Sequence, residues 1–159
     1  MNPACNIGTA ALIPNPALQP LAFLIGEWDT IGSHPMRPGK PLRGATSFAW
    51  HEGGAFLVMH QQVDEPGFPH GIAIFGSDGD GGDAGDLVML YFDQRAVSRI
   101  HRVQVGERSV TWRRDAADLS QSFTLTAQDD GTLVGSGRMS KDGGPWGDDL
   151  SQRFVRRAP

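Results

Sequence analysis

The stretch FLIGEWDTIGSHP, residues 23–35, decides how the rest of the chain is interpreted. It places Trp28 two residues after Gly26, directly behind an apolar run that follows Pro20. Residues 17–25 can form one or two helical turns whose apolar side chains would cover a hydrophobic surface. From Gly26 onward the pattern becomes that of β-strands. The stretch therefore predicts a short helical turn that leads into a first strand.

Turn-forming clusters divide the remaining chain into ten segments of strand character. Examples are Gly53-Gly54, Pro66-Gly67 and Asp129-Asp130-Gly131. The predicted strands are residues 26–33, 43–52, 55–64, 70–77, 86–94, 97–105, 108–114, 119–128, 132–140 and 147–157. Ten strands joined by short turns predict an antiparallel meander, and closure of a long meander removes its exposed edges. We predict an all-β fold: a single closed, up-and-down antiparallel β-barrel of about ten strands with a short N-terminal helical turn.

Chain length and composition support a single domain. A chain of 159 residues can bury a sizeable core. Its 21 glycines and 11 prolines suit many short strands better than long helices. The sequence shows neither βαβ alternation nor an internal repeat. We expect residues 1–16 to form a weakly ordered N-terminal segment and residues 17–159 to form the barrel domain.

Charge and cysteine content argue against several classes of partner. The net charge is −4 and no run of Lys or Arg is present, which disfavours nucleic acids and anionic membrane surfaces. Cys5 is the single cysteine, so the chain cannot form an internal disulfide, which fits a reducing compartment. Prolines interrupt the N-terminal apolar stretch, unlike a signal peptide or membrane span. We expect a cytoplasmic monomer or homodimer that binds neither nucleic acid nor membrane.

One hairpin predicts which side chains face the barrel interior. If Gly53-Gly54 forms the turn, one side of the strand pair is uniformly apolar and is the better candidate for the interior. That side pairs Phe48 with Met59 and Trp50 with Leu57. On this register His51 and His60 point outward. A slip of one residue in the turn would reverse the two sides.

The hairpin that follows is more ambiguous because both of its faces mix apolar and charged residues. With Gln94-Arg95 as the turn, one face carries Val88, Leu90, Phe92, Val97, Arg99, His101 and Val103, and the other carries Leu87, Met89, Tyr91, Ser98, Ile100 and Arg102. Either face brings an arginine inside. A buried arginine needs a protein carboxylate or an anionic ligand as its partner. Alternatively, Arg99 or Arg102 reaches solvent or pairs with an acid such as Asp93.

The Gly26-Glu27-Trp28 motif on the first strand of a ten-stranded meander resembles the calycin superfamily. That group includes lipocalins, fatty-acid-binding proteins and nitrobindin-like barrels, in which this tryptophan packs across the closed end beneath an arginine from the last strand. The resemblance implies that Gly26 and Trp28 form a structural plug with Arg153 or Arg156. An arginine over an indole ring is a favourable cation–π arrangement, and glycine permits the bend into the strand.

The sequence LAFLIGEW, residues 21–28, is most similar to nitrobindin-like and uncharacterised bacterial lipocalin-like barrels. Nitrobindins bind haem through a histidine near the C-terminus, but this chain has no histidine after His101. Haem would therefore need another ligand, such as His51, His60 or Met59. The histidine spacings match no zinc motif, and the Asp-rich segment 77–86 lacks the glutamate of a calcium loop. We expect no metal and no cofactor, with haem as the alternative.

The predicted function is non-covalent binding of a small hydrophobic or amphipathic molecule inside the barrel. No nucleophile motif, phosphate-binding loop or dinucleotide fingerprint is present, so we favour a binding protein over an enzyme. The predicted lining residues are Phe48, Trp50, Leu57, Met59, Tyr91, Arg99 and Trp112. Tyr91 and Arg99 would orient a polar head. The alternatives are a haem-binding protein or enzyme, an isomerase-like enzyme that uses His60 with an acid, and a filled barrel with a structural or interaction role.

Overall fold

The structure is a computed structural model that describes residues 10–79 and 85–159. A 3₁₀ helix, Gln19–Leu24, precedes ten strands, and a second 3₁₀ turn, Glu52–Gly54, lies between the second and third strands. The strands are β1 (Gly26–Ser33), β2 (Leu42–His51), β3 (Phe56–Val63), β4 (Gly71–Asp78), β5 (Asp86–Asp93), β6 (Ser98–Val105), β7 (Ser109–Arg114), β8 (Leu119–Ala127), β9 (Leu133–Lys141) and β10 (Gly147–Arg156). Each strand bound lies within one residue of its predicted position. The predicted all-β fold is confirmed.

The ten strands form a closed antiparallel barrel in which β1 pairs with both β2 and β10. Successive connections therefore alternate between the two ends of the barrel. The β1–β2, β3–β4, β5–β6, β7–β8 and β9–β10 loops lie at one end, which we call the mouth. The start of β1 and the end of β10 lie at the other end, which we call the floor. No helix among the described residues is long and apolar enough to cross a membrane.

The register predicted for the β2–β3 hairpin is confirmed. Phe48 pairs with Met59 and Trp50 pairs with Leu57. All four side chains belong to the hydrophobic core, with Trp50 at its partly buried margin. His51 and His60 are exposed on the outer surface. The turn contains Gly53 and Gly54, both with positive φ, so the glycine pair sets this register as the sequence indicated.

The pairing of faces predicted for the β5–β6 hairpin is wrong by one residue. Tyr91 pairs with Arg99, and Met89 pairs with His101. The connection has three residues rather than two: the Asp93 N–H donates to the Val97 carbonyl (3.1 Å), and Ala96 adopts a φ of 62°. Three-residue hairpins need a left-handed residue in the last loop position, which is usually glycine. Because alanine rather than glycine occupies that position, nothing in the sequence indicated a three-residue turn.

The corrected register assigns the two arginines of β6 to opposite sides of the barrel wall. Arg99 shares the inward face with Tyr91 and His101. Arg102 lies on the outside, where its Nη1 donates to Asp78 Oδ2 over 2.7 Å. The inward face of this hairpin therefore combines an apolar floor end with a polar mouth end.

Trp28 closes the floor of the barrel. Its side chain is buried, and its indole Nε1 donates to the Leu24 carbonyl over 2.8 Å. The Arg156 guanidinium carbon lies 4.2 Å from the centre of the Trp28 ring, and Arg156 Nη1 donates to the Ile25 carbonyl over 2.6 Å. Gly26 has a φ of 137° and lies against this guanidinium, so a Cβ there would clash with it.

Of the two arginines considered for the plug, only Arg156 contacts Trp28. Arg153 points away from the floor and pairs with Asp130 on the surface, with Nη2 and Oδ2 separated by 3.2 Å. The two residues lie three apart on β10, so they point to opposite faces of the strand. The expectation that Arg153 contributes to the plug is therefore wrong.

The floor half of the barrel is packed solid. The 3₁₀ helix and the residue before it insert three fully buried leucines, Leu18, Leu21 and Leu24, which cover Trp28 from below. Just before the helix, Asn15 is buried, and its Nδ2 donates to Ser77 Oγ over 2.8 Å. Residues 1–9 lie outside the described residues, and the predicted division into segments 1–16 and 17–159 stays a prediction.

Candidate functional site

A cavity of about 400 Å³ opens at the mouth of the barrel. Strands β3, β5, β6, β7, β8 and β10 line its walls, and the β1–β2 and β3–β4 loops lie around its rim. Its deeper wall is apolar and includes Met59, Met89 and Trp112, whereas its upper wall carries charged and amide side chains. The barrel is thus filled at the floor and hollow at the mouth.

The structure separates the seven predicted lining residues into two groups. Met59, Tyr91, Arg99 and Trp112 line the cavity. Phe48, Trp50 and Leu57 also face inward, but they lie in the packed floor half and do not line it. Because β2 ends and β3 begins at the floor, the residues beside their shared turn lie below the cavity. The lining assignment of these three residues is therefore corrected.

Arg99 brings a positive charge into the cavity without an acidic partner. Its half-buried side chain donates from Nη1 to Gln121 Oε1 over 2.7 Å. Among the described residues no carboxylate oxygen lies within 4.0 Å of its guanidinium nitrogens. The acid suggested from the sequence, Asp93, is engaged instead by Arg95 at 2.7 Å. Arg99 is therefore the half-buried cation of the cavity wall whose only hydrogen-bond partner in the described part of the chain is a neutral amide.

Tyr91 lies beside Arg99 but directs its proton elsewhere. The Tyr91 hydroxyl donates to Asp93 Oδ2 over 2.9 Å. Burial, aided by the bond to Asp93, raises the pKa of Tyr91 to about 12, so the phenol stays neutral. The hydrogen bond from Arg95 lowers the pKa of Asp93 to about 2, so this acid stays ionised. Asp93 therefore holds the Tyr91 ring in place over the cavity wall.

Gly71 on β4 provides the space that the Tyr91 ring occupies. A Cβ at this position would lie 2.8 Å from Tyr91 Cε2 and 2.9 Å from the hydroxyl oxygen. We expect Gly71→Ala to lower the free energy of unfolding by about 1–3 kcal/mol, because the ring must leave its position. Urea denaturation measures the loss. Gly147→Ala is the matched control, since no atom lies within 4 Å of its added Cβ, and an equal loss there would contradict the argument.

A β-bulge in β10 directs Asp149 into the rim of the cavity. The register between β10 and β9 shifts between Asp148 and Ser151, and such a shift re-aims the side chains within it. Asp149 Oδ2 accepts from Gln121 Nε2 over 3.3 Å. Gln121 thus uses its oxygen for Arg99 and its nitrogen for Asp149, and it spaces the two charges apart.

His34 connects the β1–β2 loop to the same carboxylate. The Met36 N–H donates to His34 Nδ1 over 3.0 Å, so Nε2 carries the proton and donates to Asp149 Oδ1 over 2.8 Å. Both ring nitrogens are occupied, and neutral His34 has no lone pair left to act as a base. Neither His34, Gln121 nor Asp149 was identified from the sequence. The bulge that re-aims Asp149 leaves no pattern in the residues that form it, and His34 and Gln121 join the site through contacts that only the folded barrel makes.

His101 is the most buried polar side chain among the described residues that line the cavity. It is 5% exposed, and its Nδ1 is buried without a hydrogen-bond partner among the described residues. Burial, together with the charges of Arg99 and Arg114, lowers the pKa of His101 to about 4. The imidazole is therefore neutral at pH 7. The available signal was the alternation on β6, which places His101 on the same face as the predicted lining residue Arg99.

The alternative haem ligands considered from the sequence do not meet in one place. His51 and His60 are exposed on the outside of the wall, so neither can ligate a group held in the cavity. Met59 does line the cavity. Within residues 10–79 and 85–159, no group of three or more His, Cys, Asp or Glu side chains is arranged to hold a metal ion.

Comparison with known proteins identifies a fold and leaves the family open. No protein-family profile matches the sequence, and no curated protein does. Among solved structures, the chain is similar to the crystal structure of Rv2717c from M. tuberculosis, with a TM-score of 0.59 and 18% sequence identity. The match covers 90% of this chain and 98% of that chain. At this identity the likeness shows that the two proteins share the fold, over almost their whole length.

Proposed function

We propose that the protein non-covalently binds a small amphipathic molecule, with an anionic head at Arg99 and an apolar body in the cavity. The observation that carries the proposal is the missing acid beside Arg99. Within the described chain the half-buried guanidinium donates only to the neutral amide of Gln121, so its other N–H groups and its charge are available to an anion in the cavity. A ligand carboxylate would be such an anion, and guanidinium binds carboxylates with two parallel hydrogen bonds.

The size and lining of the cavity support a small ligand. Its volume of about 400 Å³ falls within the range of small-molecule sites, roughly 300–1,000 Å³. Met59, Met89 and Trp112 offer apolar contact below Arg99, and methionine side chains adapt to ligands of varied shape. An anionic head at the mouth and an apolar body toward the floor match this distribution. The calycin-like shape that the sequence resembles is compatible with the same use.

Binding of an anionic fluorescent probe tests this proposal. We expect Arg99→Gln to weaken binding of anilinonaphthalene sulfonate about 10-fold or more, because a hydrogen bond to a charged group contributes roughly 1.5–3 kcal/mol. Fluorescence titration measures the dissociation constant, and displacement by decanoate shows that a carboxylate competes for the same site.

Arg102→Gln is the matched control for this substitution. It removes the same charge from the same strand, but Arg102 lies on the outside of the wall and is paired with Asp78. We expect its dissociation constant to stay within about twofold of that of the unmodified protein, as for surface changes in general. Equal dissociation constants for Arg99→Gln and the unmodified protein would disprove the assignment of the anion site.

A further inference from the structure

The inward face of β6 carries two polar side chains at different depths of the cavity. Arg99 lies nearer the mouth, and His101 follows two residues later, toward the floor. Two residues of an extended strand span about 6–7 Å. A molecule that reaches from the mouth toward the floor along this strand passes Arg99 first and His101 second.

None of the described groups around His101 makes a hydrogen bond to it. Met89 lies directly opposite on β5. On β7 the register of the Arg102–Arg113 pair continues to Arg114, whose Nη1 donates to the Leu119 carbonyl instead. The structure gives neither ring nitrogen of His101 a hydrogen-bond partner among the described residues, although the residue is 5% exposed and lines the cavity. Nδ1 is fully enclosed, so Nε2 is the nitrogen that a molecule in the cavity can reach. Buried polar side chains in folded proteins are nearly always paired, so an unpaired one calls for an explanation.

We propose that the ligand carries a second polar group, a hydroxyl that hydrogen-bonds to His101, placed about 6–7 Å further along β6 than its anionic head. This inference rests on the proposed function, in which Arg99 holds the head. It defines the ligand class as hydroxylated amphipathic acids rather than plain fatty acids or hydrocarbons. A neutral imidazole offers one acceptor and one donor, and both suit a hydroxyl.

Selectivity for the hydroxyl follows from the same geometry. An apolar ligand would cover Nε2 of His101 and leave it without any partner, water included. A ligand without the hydroxyl would leave this polar group unpaired. The site therefore discriminates against such a ligand more strongly than a purely apolar site would. The hydroxyl acts here as the recognised feature, and the anionic head acts as the general anchor.

Three naphthoates that differ only in one hydroxyl test the inference. The probes are unsubstituted naphthoate, the isomer with a hydroxyl para to the carboxylate, and the isomer with that hydroxyl ortho. Only the para isomer separates its two polar groups by a distance close to the roughly 6–7 Å between residues 99 and 101 along β6. Calorimetric titration should give about 10-fold or more tighter binding of the para isomer than of the other two.

Two variants separate this inference from the proposed function. In His101→Phe the ratio of the dissociation constants of unsubstituted naphthoate and the para isomer should fall to about one. In Arg99→Gln all three probes should bind more weakly, and this ratio should stay as in the unmodified protein. Arg102→Gln should keep both the affinities and the ratio. If Arg99→Gln weakens binding but the unmodified protein shows no preference for the para isomer, the hydroxyl inference alone is wrong. If none of the probes binds, both are wrong.

Nitrogen NMR of the unmodified protein gives a test that does not depend on the folding of a variant. We expect the para isomer to shift the signal of one neutral imidazole nitrogen, and the unsubstituted naphthoate to leave that signal in place. Equal spectra with the two saturating ligands would overturn the hydrogen bond to His101.

Discussion

Replacing Trp28 by alanine is expected to lower the free energy of unfolding by about 3–5 kcal/mol, the range for removing a large buried aromatic side chain. The indole is 1% exposed and lies between the leucines of the 3₁₀ helix and the barrel core. Its loss also removes the hydrogen bond to the Leu24 carbonyl and the ring beneath the Arg156 guanidinium. The free energy of unfolding from urea titrations measures the effect.

Trp146→Ala is the matched control because it makes the same change at the opposite end of the barrel. Trp146 is half-buried, and the Arg113 guanidinium carbon lies 4.7 Å from its ring centre, with the arginine exposed. An exposed cation–π pair contributes about 0.5–1 kcal/mol, so we expect a loss of that order. Comparable losses in the two variants would mean that the floor plug is no more important than a surface pair.

The second large effect is a loss of stability in mild acid, caused by His101. Its pKa is about 4 in the folded protein and 6.5 ordinarily. Between these values the unfolded chain binds a proton at this histidine that the folded chain does not bind. The free energy of unfolding therefore rises with pH across this window. The contribution of His101 is fully present above about pH 6.5 and is lost progressively toward pH 4, by about 3 kcal/mol in total.

The pH dependence is measured by urea denaturation at several pH values between 7 and 4. In His101→Gln the part of the slope that falls in this window should disappear, because glutamine does not titrate. The control is His51→Gln, which removes an exposed histidine on the outside of the wall and should leave the slope unchanged. A slope that persists in His101→Gln would show that another group is responsible. Asp93 does not interfere, since its pKa is lowered to about 2 and its contribution is lost only below its ordinary value of 3.8.

The fold could be predicted because its local signals agree with one another. Glycine and proline clusters mark the turns, and the Gly53-Gly54 pair alone fixes the register of the β2–β3 hairpin. The β5–β6 hairpin shows the limit of such signals. Its left-handed residue is Ala96, which has no special preference for that conformation, so nothing in the sequence announces a three-residue loop. One residue of slip then exchanged the faces of an entire strand.

The cavity was harder to predict because alternation indicates the face of a strand and not the height along it. Phe48 and Met59 pair across the same hairpin, yet only Met59 reaches the hollow half. The roles of Asp149 and His101 depend on features that emerge only in the closed barrel. Asp149 enters the rim through a bulge, and His101 is unpaired because of what surrounds it, which is a property of the fold and not of the residue.

The packed floor and the hollow mouth divide the barrel along its axis into two parts with different tolerance for change. The floor holds the buried leucines, Trp28 and its arginine, so a substitution there affects whether the chain folds at all. The cavity walls come from six strands, and most of these strands contribute only a few side chains. The lining residues of one strand can therefore be substituted without changing those of the others, while the packed floor keeps the barrel closed. Such an architecture lets one shape accommodate different occupants in distant sequences, and it suits the chain as a scaffold whose pocket can be redesigned one strand at a time.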